Sequence, residues 1–157
     1  MAEREFLTFV LGKETYALDI LTVKEIRSYA SVTPIANSPD YVKGVLNLRG
    51  DIVPIIDLRM KFNVGTATYD EFTIVIMLYI ETRIIGIVVD EVSDVFTIED
   101  SDIQPPPEFG VGFDNTYLEG LIEANELMTI IVNIKKLMTS KDIGIFTQID
   151  IHSEEAV

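Results

Sequence analysis

One histidine, no cysteine and twenty-six carboxylates bound the chemistry open to this 157-residue chain. The histidine, His152, lies in a polar stretch near the end, which argues against a Ser-His-Asp system or a His-based metal site. The lack of cysteine excludes a disulfide framework and thiolate metal ligation. Paired carboxylates can do acid–base work, as in glycoside hydrolysis, but no Asp or Glu here is set apart by its context. "GKET" at Gly12 lacks the upstream glycine of a phosphate loop. Arg49-Gly50-Asp51 spells an adhesion tripeptide, but amid strand residues. No catalytic residue, metal or cofactor is expected.

What remains is a charge in an apolar setting. In "GVLNLRGDIVPIIDLR", Gly44 to Arg59, Arg49 sits between Leu48 and Ile52. A partly desolvated arginine needs a carboxylate, and breaking such a pair costs about 3–5 kcal/mol. Glu25 and Asp57 are the local candidates. The pair serves either as an internal brace or as a charge on the rim of a binding groove. Gly50 reads as a positive-φ turn or bulge.

The elements that must hold these residues are mostly strands. Short segments rich in Val, Ile, Phe and Tyr recur from "FLTFVL" to "LMTIIVNI", separated by turn residues, which is the pattern of an all-β sandwich or barrel. A short helix is expected over Ser38–Val45, with Ser38 as cap and Pro39 in the first turn, and another after Ile134. Asp102–Thr116, with three consecutive prolines, reads as an extended loop whose Phe109 and Phe113 offer apolar surface. A hydrophobic content of 48% supports a real core, and no apolar run reaches the roughly 18 residues of a membrane span. A net charge of −14 argues against nucleic acid and anionic membrane surfaces. The N-terminal stretch does not read as a secretory signal, so a cytosolic location is expected.

Laid on itself, the chain repeats. "YVKGVLNLRGDIVPIIDLRMKF" from Tyr41 aligns without a gap to "YLEGLIEANELMTIIVNIKKLM" from Tyr117, and "YALDILTVKEI" from Tyr16 aligns to "IGIVVDEVSDV" from Ile85. Two small β units of similar plan are implied, each too short to be comfortable alone, so a shared core is expected. Opposite Asn47-Leu48-Arg49-Gly50 the second unit has Glu123-Ala124-Asn125-Glu126. Arg49 and Gly50 are therefore not demanded by the repeated plan.

"KGVLNLRGDIVPIIDLR", with "ILTVKEIR", "IVVDEVSDV", "PPEF" and "VNIKKL", closely resembles the chemotaxis coupling proteins of the CheW family, from about Glu5 to Phe146. The resemblance implies two five-stranded SH3-like barrels around a common core, in one domain over residues 1–157. The first barrel would span approximately 1–66 and the second approximately 67–150, with terminal segments able to cross, before a polar tail at 151–157. It also implies a non-enzymatic adaptor, monomeric alone, that joins methyl-accepting chemoreceptor cytoplasmic tips to the regulatory domain of a CheA-type histidine kinase in cytoplasmic rings and arrays. By position, Val23, Glu25, Ile26, Gly44, Arg49, Gly50, Val92 and Val95 match or line the receptor groove, with Glu25 linked to Arg49. Ile52, Pro54, Pro105, Pro107 and Phe109 are the positions expected to meet the kinase. The competing reading is a β-barrel with a small-ligand or carboxylate-dependent catalytic pocket.

Overall fold

The computed structural model describes residues 2–64, 68–106, 117–124 and 126–138. Its ten strands are β1 (Glu3–Leu11), β2 (Glu14–Asp19), β3 (Val23–Ser28), β4 (Val42–Leu48), β5 (Asp51–Asp57), β6 (Ile74–Ile80), β7 (Arg83–Val89), β8 (Glu91–Glu99), β9 (Leu118–Ala124) and β10 (Leu127–Val132). They form two five-stranded sheets, ordered β8-β1-β2-β10-β9 and β3-β6-β7-β5-β4. Replacing each of β1–β5 by its counterpart in β6–β10, and the reverse, converts one order into the other. The repeat seen in the sequence is thus a repeat of topology.

Strands such as β5, β6 and β7 read as nearly unbroken apolar runs because both of their faces are buried. Successive side chains point to opposite faces, so such a strand serves two cores. On one parity, Leu7, Phe9, Leu18, Ile56, Ile76, Leu78, Ile85, Ile87 and Val132 enter a single cluster common to both sheets. On the other, Val53, Ile55, Val75, Met77 and Val88 fill one barrel, and Phe6, Ala17, Ile122 and Ile131 fill the other. An aromatic relay runs through the common core from Phe9 to Tyr16 to Phe62 to Tyr117, with centroids 5.8, 5.8 and 5.2 Å apart. It links β1 and β2 to the start of β9 through the short helix of the first repeat.

The strand grouping departs from a division of the barrels near residue 66. That point separates the repeat units, but each sheet takes its first hairpin from one unit and its last three strands from the other. The reason is burial: a hairpin such as β1–β2 presents apolar side chains on both faces, and pairing it with the other unit covers both. The chain therefore crosses between sheets after β2 and again after β7.

Both barrels close in the same way. The segment after β3 returns to β4, where Thr33 and Val45 exchange backbone hydrogen bonds of 2.9 and 2.9 Å, and the segment after β8 returns to β9, where Gln104 and Leu121 do so at 2.8 and 2.9 Å. Gln104 therefore sits in a bridge inside the stretch expected to be irregular. A glycine lies beneath each bridge. A Cβ on Gly44 would lie 2.1 Å from the Thr33 carbonyl oxygen, and one on Gly120 2.6 Å from Ile103 Cγ2 and 3.0 Å from the Gln104 oxygen.

The helices also follow the repeat. One-turn helices α1 (Leu58–Lys61) and α2 (Ile134–Leu137) end β5 and β10, and Asp57 and Asn133 cap them through their side chains. The first was not expected. The second begins at Ile134 itself, and the continuation expected beyond Met138 lies outside the described residues. No helix forms over Ser38–Val45: Ser38 donates its hydroxyl to the Ile35 carbonyl at 2.8 Å instead of capping, and Val42 onward is committed to β4. Among the described residues no helix is long and apolar enough to cross a membrane.

Gly44, at φ +143°, tests this closure against simple turn strain. Gly44→Ala is expected to destabilise by about 3 kcal/mol or more, since backbone must move. Gly50→Ala is expected to cost about 1 kcal/mol from its left-handed φ alone, because nothing lies within 4 Å of its Cβ position. Urea unfolding of both variants checks the ranking, and equal losses would contradict it.

Candidate functional site

The strands that follow the two crossings, β3 and β8, are the sheet edges that carry the segments singled out in the sequence. Each is bulged. The β3–β6 register shifts between Val23 and Glu25, and the β1–β8 register shifts where Leu7 and Phe9 face Val95 and Val92. Thr8 completes the second bulge, its hydroxyl donating to the Asp94 carbonyl and accepting from the Asp94 N–H, each at 3.0 Å. Bulges bend an edge strand and re-aim its side chains.

As a result, Val23 and Val92 pack at half burial on the common core, while Ile26 and Val95 are 44% and 50% exposed. These are equivalent positions of the two repeats, so each barrel presents one exposed aliphatic side chain from its edge. Leu21, in the 3₁₀ turn Ile20–Thr22 just before β3, is 85% exposed and was not anticipated. Its signal was an apolar residue two positions after Asp19, which caps that turn by accepting from the Leu21 N–H.

Arg49 stands at the tip of the β4–β5 hairpin. Leu48 pairs with Asp51, which leaves Arg49 and Gly50 as a two-residue loop with φ of 52° and 94°. Positive φ at both positions is the type I′ turn, which favours Asn-Gly. Asn47 supports it by accepting from the Gly50 N–H at 2.9 Å. The Arg49 Nη2 lies 3.0 Å from Glu25 Oε1 on β3, and Lys24 Nζ lies 3.5 Å from the same oxygen. The expected Glu25–Arg49 ion pair is therefore formed. Its expected burial is not, because the Arg49 side chain is 72% exposed. The turn lifts it off the strand surface, so the pair is a solvated contact between β3 and the hairpin.

The buried arginine is Arg59, and it takes the other carboxylate. Its side chain is 2% exposed, with Nε 3.1 Å from Asp57 Oδ1, Nη2 2.9 Å from Asp57 Oδ2, and Nη1 3.0 Å from Asp90 Oδ1. Tyr69 donates to Asp57 as well. Burial alone pulls the Arg59 guanidinium down, but its hydrogen bonds to Asp57 and Asp90 and their charges more than offset that, leaving its pKa above the ordinary arginine value. Burial, then the Asp57 hydrogen bond and charge, push the Tyr69 hydroxyl above the ordinary tyrosine value. The desolvated, paired arginine expected at Arg49 is thus found at the Asp-Leu-Arg step ten residues further on.

The other sequence positions divide. Gly44 is buried under the closing bridge and offers no contact surface, whereas Gly50 is exposed at the hairpin tip. Ile52 is half-buried and Pro105 is exposed. Pro54 is buried in β5 opposite Val45, so it packs and is corrected as a contact residue. Pro107, Phe109, Phe113 and His152 lie outside the described residues. Among the described residues no group of carboxylates and histidine could hold a metal ion. The arrangement is suited to binding: two exposed aliphatic residues on bent edges and a solvated ion pair beside one of them.

A family model described as a CheW-like domain matches residues 5–142. The chain is 53% identical over 142 residues to the chemotaxis protein CheW of Klebsiella aerogenes, covering 90% of this chain and 86% of that one. It is 36% identical to the chemotaxis protein CheW of Treponema pallidum, covering 88% and 84% of the two chains. The crystal structure of the scaffolding protein TtCheW from Thermoanaerobacter tengcongensis matches with a TM-score of 0.81 at 31% identity, covering 90% of this chain and 96% of that one.

The two arginines are expected to behave oppositely in unfolding experiments. A double-mutant cycle on Glu25 and Arg49 should return a coupling below about 1 kcal/mol. Arg59→Met, which strands Asp57, should destabilise by about 3–5 kcal/mol. Comparable losses for both would contradict the assignment. Tyr69 binds its proton more tightly folded than unfolded, so its contribution is complete below about pH 10 and is lost as pH rises beyond. Tyr69→Phe should make the alkaline fall in stability shallower, and an unchanged slope would show that Tyr69 is not its source.

Proposed function

This chain belongs to the CheW-like domain family, and from that premise we propose that it is a non-enzymatic adaptor joining the cytoplasmic hairpin tip of methyl-accepting chemoreceptors to the regulatory domain of a CheA-type histidine kinase. The observation that carries the reading is the pair of bulged edge strands, one from each barrel, presenting Ile26 and Val95, with the Glu25–Arg49 pair on the strand that carries Ile26. A helical hairpin binds through an apolar stripe, and charges at the margin select its register. Val23 and Val92 support that surface from beneath, and Gly50 permits the turn that raises Arg49. Holding an arginine at φ 52° costs conformational energy that asparagine would largely avoid. A role for the guanidinium outside its own fold accounts for that choice.

The kinase contact in this reading uses the other surface positions, with Ile52 on β5 and Pro105 after β8 as its accessible members. The protein acts in the cytoplasm as a monomer that joins rings and arrays through its two partners.

Titration of purified chain with a soluble chemoreceptor cytoplasmic fragment and a kinase regulatory domain tests the proposal. Arg49→Glu and Glu25→Arg should each weaken receptor binding by about tenfold or more while the fold persists, since charge at a rim governs recognition more than stability. A double reversal should restore the pair but not the affinity. Unchanged ternary assembly in both single variants would refute the site, and a wild-type chain that binds neither partner would refute the function.

A further inference from the structure

The two strands proposed to meet the receptor are those that follow the two crossovers, and each crossover is held by an aspartate clamped to an arginine. At the β7–β8 crossover, Asp90 accepts from Arg59 Nη1 on Oδ1 at 3.0 Å and from the Gly12 N–H on Oδ2 at 2.7 Å, while its own N–H donates to the Val10 carbonyl at 3.1 Å. Arg59 belongs to α1 at the end of β5, in one sheet, and Gly12 to the β1–β2 turn, in the other. One carboxylate thus ties the crossing chain to both barrels, immediately before Val92 and Val95. At the β2–β3 crossover, Asp19 takes Arg4 Nη2 at 3.1 Å, accepts the Leu21 N–H at 2.9 Å, and accepts the Thr22 hydroxyl on its carbonyl at 2.7 Å, immediately before Val23 and Ile26. Arg4 continues to Glu119 at 3.5 Å and to Asp100, beyond the far end of β8, at 3.9 Å.

Edge strands are held along one side only, so their height and twist depend on where they are anchored. We propose that Asp90 and Asp19 are positioning residues that fix β8 and β3 relative to the common core, and thereby set the spacing of Val95 and Ile26 for a receptor tip. This rests on the adaptor reading for the identity of the partner, but not for the action of the two clamps. The clamps differ in strength. The aspartates are alike in exposure, Asp90 at 29% and Asp19 at 27%, but Arg59 is 2% exposed and is also bound by Asp57, whereas Arg4 is 27% exposed. The β8 anchor is the stiffer of the two.

Amide hydrogen exchange on the full-length chain, with affinity for a purified chemoreceptor hairpin fragment measured in parallel, tests this. In Asp90→Ala, amides of Val92 to Phe96 should exchange about tenfold faster or more while those of β4 and β5 keep their rates, and affinity should fall by about tenfold. Asp90→Asn keeps one of the two acceptor oxygens but turns an NH2 toward the other donor, so it should loosen β8 to an extent between wild type and Asp90→Ala. Asp19→Ala should loosen β3 in the same local manner, to a smaller extent. Acceleration spread evenly over all strands, or exchange in β8 equal to wild type, overturns the proposal whatever the affinity does. Local loosening with unaltered affinity also overturns it, provided the wild-type chain binds the fragment. If the wild-type chain does not bind, the adaptor reading falls, and local exchange alone decides whether the clamps act as proposed.

Discussion

Burial on both faces is the constraint on which this molecule depends. A sheet of five strands can cover one face by curling into a barrel, but the apolar residues on its outer face need a second cover. Here each barrel supplies that cover to the other through the common cluster around Phe9, Ile56, Ile76 and Ile87. The cluster lies between sheets that each combine strands of both repeat units, an arrangement in which the chain crosses twice. The crossings bring β3 and β8 to the edges. The proposed binding face is thus a by-product of how the core is covered, and equivalent residues of the two repeats, Ile26 and Val95, end up exposed on its edges.

Electrostatics divides along the same line. Inside, Arg59 is fully committed to Asp57 and Asp90, and a desolvated pair of this kind punishes the loss of either partner. Outside, Arg49 and Glu25 meet in solvent, where the pair adds little to stability and remains available to another charge. The two repeats are not equivalent in this respect. Asn133 and Lys135 stand where the first unit has Asp57 and Arg59, and Lys135 reaches outward to Glu81 at 2.6 Å. The buried clamp is therefore specific to the first unit, whereas the capping, the closing bridges and the glycines beneath them belong to both.

Much of this was legible in the chain. The apolar runs identified a β protein, the self-alignment paired the correct segments, and the Tyr-x-x-Gly step common to both units marks the glycines under the closing bridges. The exchange of hairpins was not legible, because strand partners depend on which faces meet in space and both pairings satisfy the same pattern. The burial of the two arginines was misassigned for a related reason. Leu48 and Ile52 flank Arg49 in the chain, but a type I′ turn removes it from their surface, and that turn depends on positive φ at an arginine, which composition does not advertise. The clamps at Asp19 and Asp90 join residues 15 and 31 positions apart, and no local spacing announces them.

In the proposed adaptor one receptor tip is read by both barrels at once, through the edges that follow the crossings. Backbone amide chemical shifts of the full-length chain, recorded as an unlabelled chemoreceptor cytoplasmic fragment is added, test it most directly. The account predicts that Glu25, Ile26, Arg49, Val92 and Val95 shift together with one saturation curve. Shifts confined to one barrel, or a saturable response that leaves both edge strands untouched, would contradict it.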